Sequence, residues 1–137
     1  MEPKKYINIL KKIELDEIYL EACSSELTRE HIKLQESLEV NIRDKASYEQ
    51  LKNKLRIKHK YFLTAKTPKT GKDFAIKASV TFCLIFATQE PIEKEFFDIF
   101  REINLPLNSW PYFREFIQSM TQRMNVPPLT LPLIKSS

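Results

Sequence analysis

"LKNKLRIKHKYF", residues 51–62, alternates with period two: Leu51, Leu55, Ile57 and Tyr61 fall on one parity, Lys52, Lys54, Arg56, Lys58 and Lys60 on the other. Successive side chains of a β-strand point to opposite faces, so the stretch predicts a strand with one apolar side and one cationic stripe. The rhythm runs on to about Lys66. Beyond "TPKTGKD", the segment "FAIKASVTFCLIFAT" places Phe74, Ile76, Ala78, Val80, Phe82, Leu84 and Phe86 on one face. Pro68 and Gly71 supply turn chemistry between the two segments, which predicts a long antiparallel hairpin.

Two further strands precede this hairpin. In "SLEVNIRD" (37–44), Leu38, Val40 and Ile42 alternate with Glu39, Asn41 and Arg43. In "KIELDEIYLEA" (12–22), Ile18, Leu20 and Ala22 share a parity that Ile13 breaks, which implies a slip or bulge midway. The link over 23–36 is too long for a tight turn and reads as a crossover. After the fourth strand the period changes. Pro91 suits a first helical turn, and Ile92, Phe96, Ile99, Phe100 and Ile103 follow at helical spacing. "NLPLN" ends that helix; Ser109 reads as the N-cap of another, with Pro111 in its first turn and Phe113, Phe116, Ile117, Met120 and Met124 as its stripe. The order β-β-β-β-α-α predicts an α+β fold: one four-stranded antiparallel sheet with two helices on one face.

Composition narrows the function. A chain of 137 residues, 42% hydrophobic and 29% charged, is one ordinary domain (1–137), with a lead-in over 1–11. Gly71 is the single glycine, which removes glycine-rich phosphate loops. Cys23 and Cys83 belong to no Cys/His cluster and read as reduced thiols of a cytoplasmic protein. The longest apolar run, "VTFCLIFA", is far short of a membrane span, and "MEPKKYINILKK" lacks a signal peptide's apolar core. Net charge is +4, yet residues 51–77 hold nine Lys or Arg against one Asp, so one segment carries the whole excess. His31 and His59 stand apart and suggest neither a metal site nor a catalytic pair. No cofactor is expected, and no constellation supports an enzyme. Trp110, Tyr112, Phe113 and Phe116 crowd one turn of the second helix, more aromatic surface than one sheet face requires.

"NSWPYFREFIQSMTQRM" followed by "VPPLTLPL" resembles the SecB family of export chaperones. The pattern is carried by Pro111, Tyr112, Arg114, Glu115, Ile117, Ser119 and Met120, then Pro127, Leu129 and Leu131. A weaker echo of the family's first strand ends at Leu20, Glu21 and Ala22. The resemblance spans about residues 10–134. It implies a dimer or dimer of dimers, with Arg114, Glu115, Phe116, Ile117, Met120 and Met124 at the subunit interface. It also implies ATP-independent binding of unfolded polypeptide, preprotein or antitoxin, in apolar grooves lined by Leu27, Ile32, Leu34, Val40, Trp110, Tyr112, Phe113, Leu129 and Leu131. Three features depart from the export members. The family's C-terminal helix is absent, leaving a short tail at 133–137. The crossover offers leucine and isoleucine where those members carry aromatics. The sheet face that docks the SecA motor is basic here instead of acidic. These departures weigh against SecA docking and fit a chaperone dedicated to one antitoxin. For the basic stripe of Lys52, Lys54, Arg56, Lys58 and Lys60, three readings stay open: a solvated face, a dock for an acidic protein, or, with least support, a nucleic-acid site.

Overall fold

A computed structural model describes residues 1–32, 38–67, 74–126, 129 and 131–133. The elements are α1 (Pro3–Leu10), β1 (Ile13–Leu27), β2 (Glu39–Leu51), β3 (Lys54–Lys66), β4 (Ile76–Thr88), α2 (Lys94–Ile103) and α3 (Leu105–Arg123), with a 3-10 turn at Arg29–His31. The four strands form one antiparallel sheet in the order β1-β4-β3-β2, and the helices cover one face. The α+β architecture expected from periodicity is therefore the one observed.

The strand boundaries show where local pattern misled. Residues 51–62 are not one strand: Leu51 closes β2, Lys52 and Asn53 turn, and Lys54 opens β3. Lys52 takes φ 52°, the left-handed backbone that two-residue hairpin turns demand. The turn places Leu51 opposite Lys54 on the outer face and takes Lys52 off the stripe. On β1 the anticipated bulge is real, between Leu15 and Glu17, and a second lies between Leu20 and Ala22. Together they keep Ile13, Leu15, Ile18, Leu20 and Cys23 on the helix-covered side while Ala22 turns outward. Cys83 lies on the opposite face of β4, so the two free thiols stand back to back across the sheet. The turn assigned to Pro68 and Gly71 lies outside the described residues.

The helices also shift. Residues 1–11 contain a helix that sequence reading left as a lead-in. It is held by Tyr6, whose ring packs on Phe96 at 5.0 Å and whose hydroxyl donates to Asn104 Oδ1. The second predicted helix starts earlier, at Leu105, because Pro106 suits a first turn and one residue, Asn104, suffices to separate it from α2. Ser109 is thus an interior residue and not an N-cap, and Pro111 sits inside the helix.

The core lies between sheet and helices and is built on rings. Tyr61 stacks on Phe113 at 4.5 Å with 13° between planes, Phe86 meets Phe100 edge-on, and Tyr48 meets Phe97 at 4.3 Å. β1 and β2 occupy opposite edges, and the described part of the chain between them is anchored beside the start of β4: Thr28 N–H donates to Ala75 O, and His31 Nδ1 lies 3.0 Å from Phe74 O. Arg29 then donates to the carbonyls of Met124 and Asn125, closing the C-terminal end of α3.

Candidate functional site

The helices do not cover the whole inner face. β1 is an edge strand, and along it Leu15 and Leu20 stay open to solvent, Leu20 being 46% exposed. Leu20 lies opposite Phe82, whose ring meets Tyr112 of α3 edge-on at 6.1 Å; Leu15 lies opposite Phe86, which packs on Phe100 of α2. Tyr112 is itself 48% exposed. These contacts bring Leu20 of β1 and Tyr112 of α3 to one side of the subunit, with Leu15 further along the same strand face. Scattered surface leucines need no explanation, whereas a shared exposed apolar margin is a candidate binding surface.

Sequence reading missed Leu15 and Leu20 here, because their exposure follows from β1 lying at the sheet edge. Of the nine residues anticipated to line a groove, Leu27 and Ile32 are half-buried beside the hairpin end, Val40 is exposed on the other edge, and Leu34 lies outside the described residues. Leu129 is half-buried near the last turn of α3, its N–H donating to Thr121 Oγ1. Phe113 (0% exposed), Trp110 (2%) and Leu131 are core side chains. The reason lies in the tail, which runs along α3: Trp110 Nε1 donates to Pro132 O at 2.7 Å, and Arg114 Nε donates to Leu131 O at 2.8 Å. Among the residues anticipated at a subunit interface, Arg114 is committed to that internal contact and Ile117 is buried. Glu115 is exposed, and Phe116, Met120 and Met124 are half-buried. Tyr112 alone among the anticipated aromatics faces outward.

Beneath the helices lies a polar chain that sequence spacing hid. His59, fully buried on β3, has Nε2 2.7 Å from Asp44 Oδ2 and Nδ1 2.7 Å from Ser109 Oγ; Tyr61 OH lies 2.8 Å from the same Oγ. One proton arrangement serves every link. His59 Nε2–H donates to the Asp44 carboxylate, Ser109 donates to Nδ1, and Tyr61 donates to Ser109. Leu105 O, at 3.2 Å, competes for the serine proton over a longer distance. Burial raises the Tyr61 pKa above its ordinary value, which keeps the phenol a donor. Aspartate, histidine and serine here follow the order of a hydrolase triad, yet Ser109 is fully buried under α3 and no substrate carbonyl reaches it. The chain joins β2, β3 and α3 as core wiring.

On the outer face, β3 presents Lys54, Arg56, Lys58 and Lys60, and β2 adds Arg43 and Lys45. β1 answers with Glu14, Glu17 and Glu26, and Glu21 at its second bulge sits 3.5 Å from both Arg56 and Lys58. Tyr19 of β1 stands directly opposite Cys83, which is fully buried although it lies on the outer face. Among the described residues no group of three or more His, Cys, Asp or Glu side chains is placed to hold a metal ion, and no helix is long and apolar enough to cross a membrane.

An antiparallel sheet ordered β1-β4-β3-β2, with its helices following on one face and a long crossover between the first two strands, is the fold of SecB-like chaperones. Among solved structures, the Mycobacterium tuberculosis SecB-like chaperone Rv1957, in complex with a ChAD peptide from the Rv1956 HigA1 antitoxin, superposes with a TM-score of 0.81. The match covers 96% of this chain and 97% of that one at 15% sequence identity. No protein-family model matches the sequence, and no curated protein matches it in sequence.

Proposed function

We propose that this protein is an ATP-independent holdase that keeps non-native polypeptide soluble by burying its apolar side chains against the β1–helix margin. The observation that carries this reading is the exposed set Leu15, Leu20 and Tyr112, placed on a fold shared with a chaperone. Such a surface needs no nucleotide, because apolar burial at roughly 25 cal/mol per Å² supplies the affinity. Leu27, Ile32, Val40 and Leu129 extend it around the crossover end. Assembly as a dimer or dimer of dimers would place several such margins on one particle, and weak sites then act together through effective concentration. The free thiols fit a cytosolic setting.

A second reading within the same class is a chaperone dedicated to one antitoxin. It is favoured by the structural match, since the superposed protein was captured with an antitoxin peptide.

Light scattering from a chemically unfolded, slow-refolding client tests the proposal. At subunit ratios near one, the wild type is expected to suppress aggregation without ATP. The Leu20→Asp/Tyr112→Asp variant loses apolar contacts worth about 1.5–3 kcal/mol each when fully buried, a drop of about tenfold or more in affinity. Both positions are half-exposed, so folding is retained. Scattering unchanged by the wild type, together with no binding of a disordered antitoxin-like peptide, would sink the chaperone reading.

A further inference from the structure

The outer face of this sheet concentrates its cations at the middle. Lys54, Arg56, Lys58 and Lys60 run along β3, Arg43 and Lys45 face them from β2 between Glu39 and Glu49, and Glu14, Glu17 and Glu26 line β1; the register includes an unfavourable pair, Lys45 directly opposite Lys60. Among the described residues neither lysine has a carboxylate partner. Both ammonium groups instead lean over the ring of Phe62, at 5.8 Å and 4.9 Å from its centre. Between the two charge zones the short side chains Ala22 and Thr81 leave a trough of about 460 Å³, walled by Lys45, Lys58 and Lys60 on one side and Glu21 on the other. The Glu21 carboxylate, set between Arg56 and Lys58, shows which chemistry the wall accepts.

We infer that this trough is a docking site for an acidic polypeptide segment in extended conformation, separate from the apolar margin that binds clients. Lys58 and Lys60 stand two residues apart on one strand, about 6.6 Å. An extended peptide with Asp or Glu at every second position presents carboxylates at that same repeat. The width fits as well: β3 lies two strand spacings, roughly 10 Å, from the row of Glu14, Glu17 and Glu26 on β1. One peptide strand occupies that span, whereas a broad polyanion would overlap the glutamates and be repelled. Nucleic acid is disfavoured also because, among the described residues, Phe62 is the one ring set beside these lysines, and Lys45 and Lys60 already cover it.

A fluorescently labelled peptide of alternating Glu and Ser tests this, followed by anisotropy with the full chain. It carries no apolar side chain, so the client surface cannot hold it. Binding is expected to weaken about tenfold between about 50 and about 250 mM salt. It should also fall at least tenfold in Lys58→Glu/Lys60→Glu, and stay unchanged in Leu20→Asp/Tyr112→Asp. An unaltered melting curve for the charge-reversal variant shows that its fold is intact, and Lys45→Glu provides an independent variant on the same wall. Failure of the wild type to bind the peptide at millimolar concentration overturns the inference. So does equal or tighter binding of a single-stranded oligonucleotide of matched charge. Salt-sensitive self-association lost in the charge-reversal variant would likewise overturn it, assigning the face to a second copy. None of these outcomes bears on aggregation suppression, so the two readings stand or fall separately.

Discussion

Replacing Phe113 by alanine is expected to destabilise the subunit by about 3–5 kcal/mol, enough to leave a domain of ordinary stability marginal at room temperature. The ring is fully buried, stacks on Tyr61 at 4.5 Å and meets Trp110 at 5.6 Å between ring centres. Truncation removes the transfer free energy of a whole phenyl ring and opens a cavity between α3 and β3. That cavity collapses poorly, because Tyr61 is fixed by its hydrogen bond to Ser109 and Trp110 by its bond to Pro132 O. The neighbouring Tyr112, on the next helical position but half-exposed, supplies the contrast: Tyr112→Ala should cost less than about 1 kcal/mol. Urea unfolding followed by tryptophan fluorescence measures both, since Trp110 is the single tryptophan and sits at the site. Equal effects of the two substitutions would show that α3 does not pack as described.

That contrast also measures what sequence could reveal. Period-two alternation identified the inner face of β3 and β4 residue by residue, because both strands are central, helix-covered and interrupted by no bulge. Edge strands followed the pattern less well. Two bulges on β1 shift its parity twice, and a repeat of two residues cannot announce an extra residue unless a misplaced side chain betrays it. Ile13 did so for the first bulge, and nothing did for the second. α1, at eight residues, is too short to form alone and exists through Tyr6 against Phe96 and Asn104, contacts with no local signature. The same limit governed the site. Helical spacing on α3 names Phe113 and Tyr112 alike as aromatic, but which of them turns inward depends on where the helix starts. Reading Ser109 as an N-cap put that start five residues late. Leu15 and Leu20 were visible as strand residues, and their role as an open margin required knowing that β1 pairs on one side only. By contrast the cationic stripe needed nothing but parity and was legible throughout, apart from the two turn residues that displaced Lys52.

Ser109 is also where the second large effect is expected. Removing the His59 imidazole as His59→Ala should cost about 2–5 kcal/mol, because it takes the fully buried middle member out of the chain and leaves a cavity. Asp44 Oδ2 loses its 2.7 Å donor, and Ser109 Oγ loses its 2.7 Å partner. Substitution of Ser109 by alanine removes the same link from the other end, taking from Tyr61 OH and His59 Nδ1 the hydroxyl they share, at about 1–3 kcal/mol for the buried imidazole nitrogen. If the chain acts as one unit the two losses overlap, so His59→Ala/Ser109→Ala should fall short of their sum by about 0.5–3 kcal/mol. Unfolding midpoints in urea at constant pH give all four corners of the cycle. Strict additivity would mean that His59 and Ser109 are independent core residues and that α3 is seated on the sheet by ring packing alone. Coupling of the expected size would make the buried chain a device that fixes how α3 lies on β3, and therefore which face of the helix Tyr112 presents beside Leu20. In that case Ser109→Ala, far from any exposed surface, should weaken client binding at temperatures where the subunit is still folded. Its conservative counterpart Ser109→Thr, which keeps a hydroxyl at the same position, should weaken it less.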